Sequence, residues 1–220
     1  MNKDVTIAIA DDQHLFRKGI ITVINSFTGM QVVLEAAHGR ELLALLNKDL
    51  LPDVVILDLK MPEMDGIETT KALSKQFSGI KIIILTNYNE ERFISHLMEC
   101  GAHAYILKDS EPDEFEKAIR AVSKDGFYFT EKIFELLKKN IHKRKRTISL
   151  TDVVNDFTER EIEILNLICK EYTAEEIGEK LFISARTVEG HRNRMLVKAG
   201  CKNVAGLVVF AIRNRLIEII

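Results

Sequence analysis

Five residues in the first half of the chain have the types and placement to do chemistry together: the adjacent acids Asp11 and Asp12, a third acid Asp58, the hydroxyl of Thr86 and the ammonium of Lys108. Each ends or follows a short β-rich apolar run. Three carboxylates brought to one place repel unless a cation lies among them. All-oxygen ligands select a hard ion, and a mobile phosphoryl substrate favours Mg2+. Thr86 and Lys108 offer a hydroxyl and a point charge to phosphoryl oxygens. Such a site suits attack by the Asp58 carboxylate on a phosphoryl donor, giving an aspartyl phosphate.

Those residues meet only if the runs before them lie side by side. The runs are VTIAIA (Val5 to Ala10), QVVLEA (Gln31 to Ala36), DVVILD (Asp53 to Asp58), KIIILT (Lys81 to Thr86) and AYIL (Ala104 to Leu107). Helical periodicity fills the intervals over Gln13 to Ser26, Arg40 to Lys48, Gly66 to Gln76, Glu90 to Cys100 and Pro112 to Ser123. Five strands alternating with five helices predict a doubly wound α/β unit, a parallel sheet covered on both faces. Its carboxyl edge is where ligands bind. Ser110-x-x-Asp113 reads as a capping box, and Pro112 fits a first helical turn.

The second half has no strand pattern. Helices are predicted near Glu159 to Lys170, Ala174 to Leu181, Ala185 to Ala199 and Asn203 to Arg215, with capping boxes Thr158-x-x-Glu161 and Thr173-x-x-Glu176. Two helices joined by the short turn Phe182-Ile183-Ser184 have helix-turn-helix spacing. Ile177, Leu181, Val188, Met195 and Leu196 face a core. Arg186, Glu189, Arg192 and Asn193 share another face, from which side chains reach phosphates and base edges in a major groove. Arg186, Arg192 and Lys198 have no fixed acid partner in view. Between the halves, a segment that starts helical ends as the basic tether HKRKR.

Charge supports this division. The 220 residues carry a net charge of -2, but Met1 to Gly126 holds 14 basic and 20 acidic residues, and Ser184 to Lys202 holds five basic residues and one acid. An acidic first half and a locally basic second half imply two domains with different partners. The three cysteines, Cys100, Cys169 and Cys201, form no C-x-x-C pair and read as reduced core thiols. No apolar run of about 18 residues exists, and no secretory signal opens the chain, so a cytoplasmic protein without a membrane span is expected. The expected division is 1-126 for the first domain, 127-155 for the linker and 156-220 for the second.

IADDQ, VVILDLKMPEMDG, IIILTNY and GAHAYILKD, in this order and each after a strand, resemble the receiver domain of two-component response regulators from about Val5 to Lys124. The resemblance implies that Asp58 accepts a phosphoryl group from a sensor histidine kinase. Mg2+ would be held by Asp12, Asp58 and the Lys60 backbone carbonyl, with Asp11 acting through water. Lys108 would contact the phosphoryl group, and Thr86 with Tyr105 would form the switch pair, Tyr105 moving inward on phosphorylation. The position after the switch threonine is usually small in that family, and here it is Asn87. His14 reads as a loop residue, not a metal ligand, and Asp12 as a helix N-cap as well as a metal ligand.

TEREIEIL, EEIGEKLFIS, RTVEGHRNRM and LVKAG similarly resemble the DNA-binding domain of the LuxR/NarL type, over Phe157 to Leu216. By that resemblance Arg186, Thr187, His191 and Lys198 would hold the DNA backbone, as would Ser184 and Arg192 at the same surface. Glu189, Gly190 and Asn193 would face bases, and the fourth helix would pair with its twin in a homodimer. Glu175 and Glu176 stand where a basic residue is common, and Glu189 adds an acid to the reading face. The implied function is transcription regulation: phosphorylation favours a dimer that binds double-stranded DNA, and the resting receiver covers the basic helix. An aspartyl-phosphate phosphatase would want a second acid two residues after the nucleophile, where Lys60 stands. A protein-interaction switch without DNA binding would leave the helix-turn-helix unexplained. A phosphorylation-independent DNA binder would leave the carboxylate site unexplained.

Overall fold

A computed structural model of the chain describes residues 4–47, 51–87, 91–130, 133, 157–214 and 216–217. The first half alternates β1 (Val5–Ala10), α1 (His14–Ser26), β2 (Met30–Ala36), α2 (Gly39–Leu45), β3 (Val54–Asp58), α3 (Gly66–Gln76), β4 (Lys81–Thr86), α4 (Glu91–Cys100), β5 (Ala104–Leu107) and α5 (Pro112–Asp125). All pairings are parallel, in the order β2-β1-β3-β4-β5. The chain order reverses direction between β1 and β3, which places a ligand crevice beyond their carboxyl ends.

Alternation along each strand divides the core. Ile7, Ile9, Val54, Ile56, Ile83 and Leu85 pack under α1 and α5, while Ala8, Ala10, Val55, Leu57, Ile82 and Ile84 pack under the helices of the other face. Every residue of β3 is buried, as a central strand covered on both faces requires. Gly66 brings the start of α3 against β3: a Cβ there would stand 2.5 Å from the Asp58 carbonyl oxygen. Asp65 caps α3 in a reciprocal box with Glu68, an arrangement worth about 1 kcal/mol.

Helix ends shift where a local device governs them. α2 starts at Gly39 because the His38 ring accepts the Glu41 N–H at 3.2 Å. The Ser110-x-x-Asp113 box does not form. Pro112 opens α5, which fixes Glu111 as the extended cap residue, and its side chain makes no cap bond. Asp12 does not cap α1 either: the cap position is Gln13, whose N–H donates to Asp11 Oδ1 at 2.8 Å. The expected helical residues Lys48, Glu90 and Arg215, and the tether HKRKR, lie outside the described residues.

The second half holds α6 (Glu159–Cys169), α7 (Ala174–Leu181), α8 (Ala185–Ala199) and α9 (Val204–Arg213). Thr158 and Thr173 each close a full capping box, with Glu161 and Glu176. The turn between α7 and α8 is tight: a Cβ on Gly178 would meet the Ile183 carbonyl oxygen at 2.6 Å. Phe182 ends α7 in the left-handed region at φ 55° with its ring 95% exposed.

The apolar core of the α4 face of the sheet runs on into this second half, where α9 packs against α4. No single helix among the described residues is long and apolar enough to cross a membrane. Only α8 and α9 together pass that length and composition test, as a pair bent by 59°, and α9 is buried within the protein.

Candidate phosphoacceptor site and nucleic-acid interface

The parallel sheet brings Asp11, Asp12, Asp58, Thr86 and Lys108 to its carboxyl edge, as their positions in sequence predict. One carboxylate oxygen from each of Asp11, Asp12 and Asp58 lies within 4.8 Å of the others. Asp11 and Asp58 are buried, while Asp12 is exposed. Lys108 Nζ stands 2.7 Å from Asp11 Oδ2 and donates to Asp58 Oδ2 at 3.0 Å, with both ion pairs shielded from solvent. The contact with Asp11 is charge proximity without a directed bond, since Asp11 Oδ2 has no hydrogen-bond partner.

That buried carboxylate oxygen, held by the Lys108 charge alone, belongs to an all-oxygen donor set that fits a hard cation. Burial pushes the Asp58 carboxyl above its usual range and the Asp11 charge adds to this, while the Lys108 ammonium draws it back down. Two buried carboxylates and one ammonium leave net negative charge at the sheet edge. The ammonium also lies 4.6 Å from the centre of the Phe16 ring, and the buried Arg17 guanidinium donates to the Asp11 backbone carbonyl. Phe16 and Arg17, in the first turn of α1, are further neighbours of this site that residue type and strand position do not single out.

The remaining receiver positions fall around this edge. Lys60 lies two residues past Asp58 in the loop before α3 and is exposed, Asn87 is exposed next to Thr86, and His14 is the exposed first residue of α1. Thr86 and Tyr105 are both fully buried. Tyr105 lies inside the core on β5, the strand that pairs with the one ending in Thr86.

On α8, Ser184 caps the helix by accepting the Thr187 N–H at 3.1 Å. Arg186, Thr187, Glu189, Asn193 and Arg194 are exposed, and Gly190 and His191 are half-buried. His191 Nδ1 lies 3.0 Å from an Arg194 guanidinium nitrogen; burial and that positive neighbour push the imidazole below its ordinary range.

Two of the expected unpaired cations have partners. Arg192 is 4% exposed and pairs with Glu189 at 2.7 Å. It shares a face with Val188 and Met195 because positions 188, 192 and 195 are four and three apart. Its Nε and one terminal nitrogen lack partners, and its charge reaches Asp125 at the end of α5, a carboxyl that burial raises above the usual range. Lys198 pairs at 2.7 Å with Glu161, which is nearly inaccessible to solvent. In this structure the receiver leaves most of the basic helix uncovered. Arg192 is enclosed, but Arg186, Thr187, Glu189, Asn193 and Arg194 are exposed, and the helix of the second half that packs against α4 is α9.

Residues 7–120 match the response regulator receiver domain, and residues 155–211 match the bacterial regulatory proteins of the luxR family. The chain is 36% identical over 219 residues to the uncharacterized transcriptional regulatory protein YxjL of Bacillus subtilis, covering 99% of this chain and 100% of that protein. It is 36% identical over 215 residues to the oxygen regulatory protein NreC of Staphylococcus haemolyticus, covering 96% and 99%. A solved structure of two RcsB dimers bound to two parallel DNAs aligns with a TM-score of 0.59 at 26% identity, covering 96% of this chain and 99% of that one. The buried acid pair at the edge of a parallel sheet and the capped helix-turn-helix thus occur in one chain because it belongs to the response regulators, transcriptional regulators that join a receiver domain to a LuxR-type DNA-binding domain.

Proposed function

We propose that Asp58 takes a phosphoryl group from a sensor histidine kinase, and that the modified chain dimerises and binds double-stranded DNA. The observation that carries this reading is the pairing of Lys108 with two buried acids, one of which has an oxygen without a hydrogen-bond partner. A Mg2+ ion held by Asp11, Asp12, Asp58 and the Lys60 carbonyl would neutralise phosphoryl oxygens. An Asp58 oxygen attacks phosphorus, and the bond from phosphorus to the donor's histidine nitrogen breaks. The Lys108 ammonium leaves the Asp58 carboxylate for a phosphoryl oxygen, and the Thr86 hydroxyl donates to another. The chain assists its own phosphorylation and dephosphorylation and has no other catalytic task.

In this reading Ser184, Arg186, Thr187, His191 and Lys198 hold DNA phosphates, with Arg192 joining them once it leaves its enclosure. Glu189, Gly190 and Asn193 face base edges. The domain division 1-126, 127-155 and 156-220 and a cytoplasmic location go with the same reading. Tight DNA binding needs two half-sites one helical turn apart, which a dimer matches. Sedimentation and selection from a random-sequence DNA pool, with and without acetyl phosphate and Mg2+, test it. Dimer formation and selective DNA retention should rise together in wild type and not in Asp58→Ala. Unchanged assembly and retention in phosphorylated wild type would refute the switch.

A further inference from the structure

The start of α9 is bound to the end of α4 by one saturated side chain. Asn203 is 8% exposed. Its Oδ1 accepts the Gly206 N–H at 2.8 Å and so caps α9 from within its own domain. Its Nδ2 donates outward, to the carbonyls of Gly101 and Ala102, each at 2.9 Å. The last carbonyls of a helix lack internal partners and carry the negative end of its dipole. α4 has no basic residue of its own in its last turn. Ser74 of α3 donates to the Cys100 carbonyl at 3.2 Å, and the other domain adds the positive charge: Lys202 Nζ donates to the same carbonyl at 3.1 Å, and Arg213 pairs with Glu99.

The apolar contact beside these bonds is close. Met98, Leu97, Ala205 and Val208 are fully buried in one continuous core. A Cβ on Gly206 would lie 3.5 Å from the Met98 carbonyl oxygen, so the two helices approach at backbone distance. The seam between the domains also holds a cleft of about 510 Å³, lined by Tyr128 and Phe129 on one side and Cys169 and Glu171 on the other. α4 directly follows the strand that ends in Thr86, and β5 with Tyr105 follows α4.

We propose that Asn203 is an interdomain latch, its carboxamide holding α9 on α4 so that the closed chain withholds α9 from a second copy. Closure thereby masks the pairing surface more than the base-reading surface. The masking rests on the dimer reading given above; the latch rests on geometry alone. A rearrangement of α4 around Thr86 and Tyr105 would misplace the Gly101 and Ala102 carbonyls and break both amide bonds at once. This gives the phosphoacceptor edge a physical route to α9, through a two-state contact that both ends bias.

Asn203→Asp is the selective test. It keeps the size and the capping oxygen, but turns a carboxylate oxygen toward two carbonyls. Asn203→Ser keeps a capping oxygen and simply loses both donors. In the full chain without phosphodonor, both variants should expand in small-angle scattering, and amide exchange across α9 should speed up at least tenfold. Glu99→Arg and Arg213→Glu should each shift the chain the same way, and the double reversal should restore compactness. The latch is overturned if the folded Asn203 variants stay as compact and as protected as wild type, or if wild type is itself expanded. If the variants open but phosphorylation changes nothing, the latch stands and the phosphorylation switch fails.

Discussion

Lys198 Nζ lies 2.7 Å from Glu161 Oε2 and ties the last turn of α8 to the first turn of α6. The same carboxylate oxygen accepts the Thr158 N–H at 2.8 Å, so one buried acid serves a helix cap and an interhelical ion pair. Burial alone would raise the Glu161 carboxyl, and the bonds from Lys198 and Thr158 bring it below its ordinary range instead. A folded-state pKa held down in this way adds stability above the unfolded pKa, and that stability is lost as pH falls through the folded value.

Lys198 therefore has a structural role that Arg186, exposed on the same helix, lacks. Lys198→Ala should cost about 2 kcal/mol in denaturant unfolding, because it strands a buried carboxylate. Arg186→Ala should stay within about 0.5 kcal/mol of wild type and lower the salt slope of DNA binding by about 1. Equal stability of the two variants would remove the distinction.

Asn193 is exposed on α8, four residues past Glu189. An amide pairs in two places with adenine, so Asn193→Ala should cost about 1–3 kcal/mol on the selected DNA and little on random DNA. Equal losses on both would place Asn193 among the phosphate contacts.

His103 gives the receiver a pH dependence. Its Nδ1 accepts the Ile82 N–H at 3.1 Å, and burial, helped by the Lys81 charge, pushes its pKa down to about 3. The unfolded chain takes up a proton near the ordinary histidine value that the folded chain refuses. Stability should therefore be fully present above about pH 6.5 and fall by about 1.4 kcal/mol per pH unit below it, toward pH 3. Urea unfolding at several pH values checks this: a His103→Gln chain should lack that part of the slope, and parallel curves would contradict it.

Asp58 titrates in the opposite sense. Its folded pKa is raised, so its contribution to stability is present below the unfolded value and lost as pH rises through the folded one. Asp58→Asn should melt higher than wild type at pH 7 without divalent cation, and the two should converge near pH 4. Mg2+ should narrow the gap at pH 7 by stabilising wild type alone. A variant less stable than wild type at pH 7 would show that Lys108 more than offsets the burial of Asp58.

What the sequence made legible was local. The bounds of β1, β4 and β5 fall where the apolar runs end, and those of α7 and α8 fall where Thr173, Ser184 and Gly200 mark them. The carboxylate site followed from strand ends, because parallel strands carry their carboxyl ends to one edge. Pairs far apart in the chain were not legible. Glu161 with Lys198, and Asn203 with Gly101 and Ala102, are set by how helices pack, and no spacing rule encodes that. The burial of Arg192 was within reach, since its distance from Val188 and Met195 places all three on one helical face.

The central claim is that Asp58, among two acids, a hydroxyl and a lysine, is the residue that takes the phosphoryl group. Intact mass after incubation with acetyl phosphate and Mg2+ tests it most directly. The account predicts one added phosphoryl group on wild type, none on Asp58→Ala, and none on wild type when the cation is chelated. Equal modification of wild type and Asp58→Ala would contradict it.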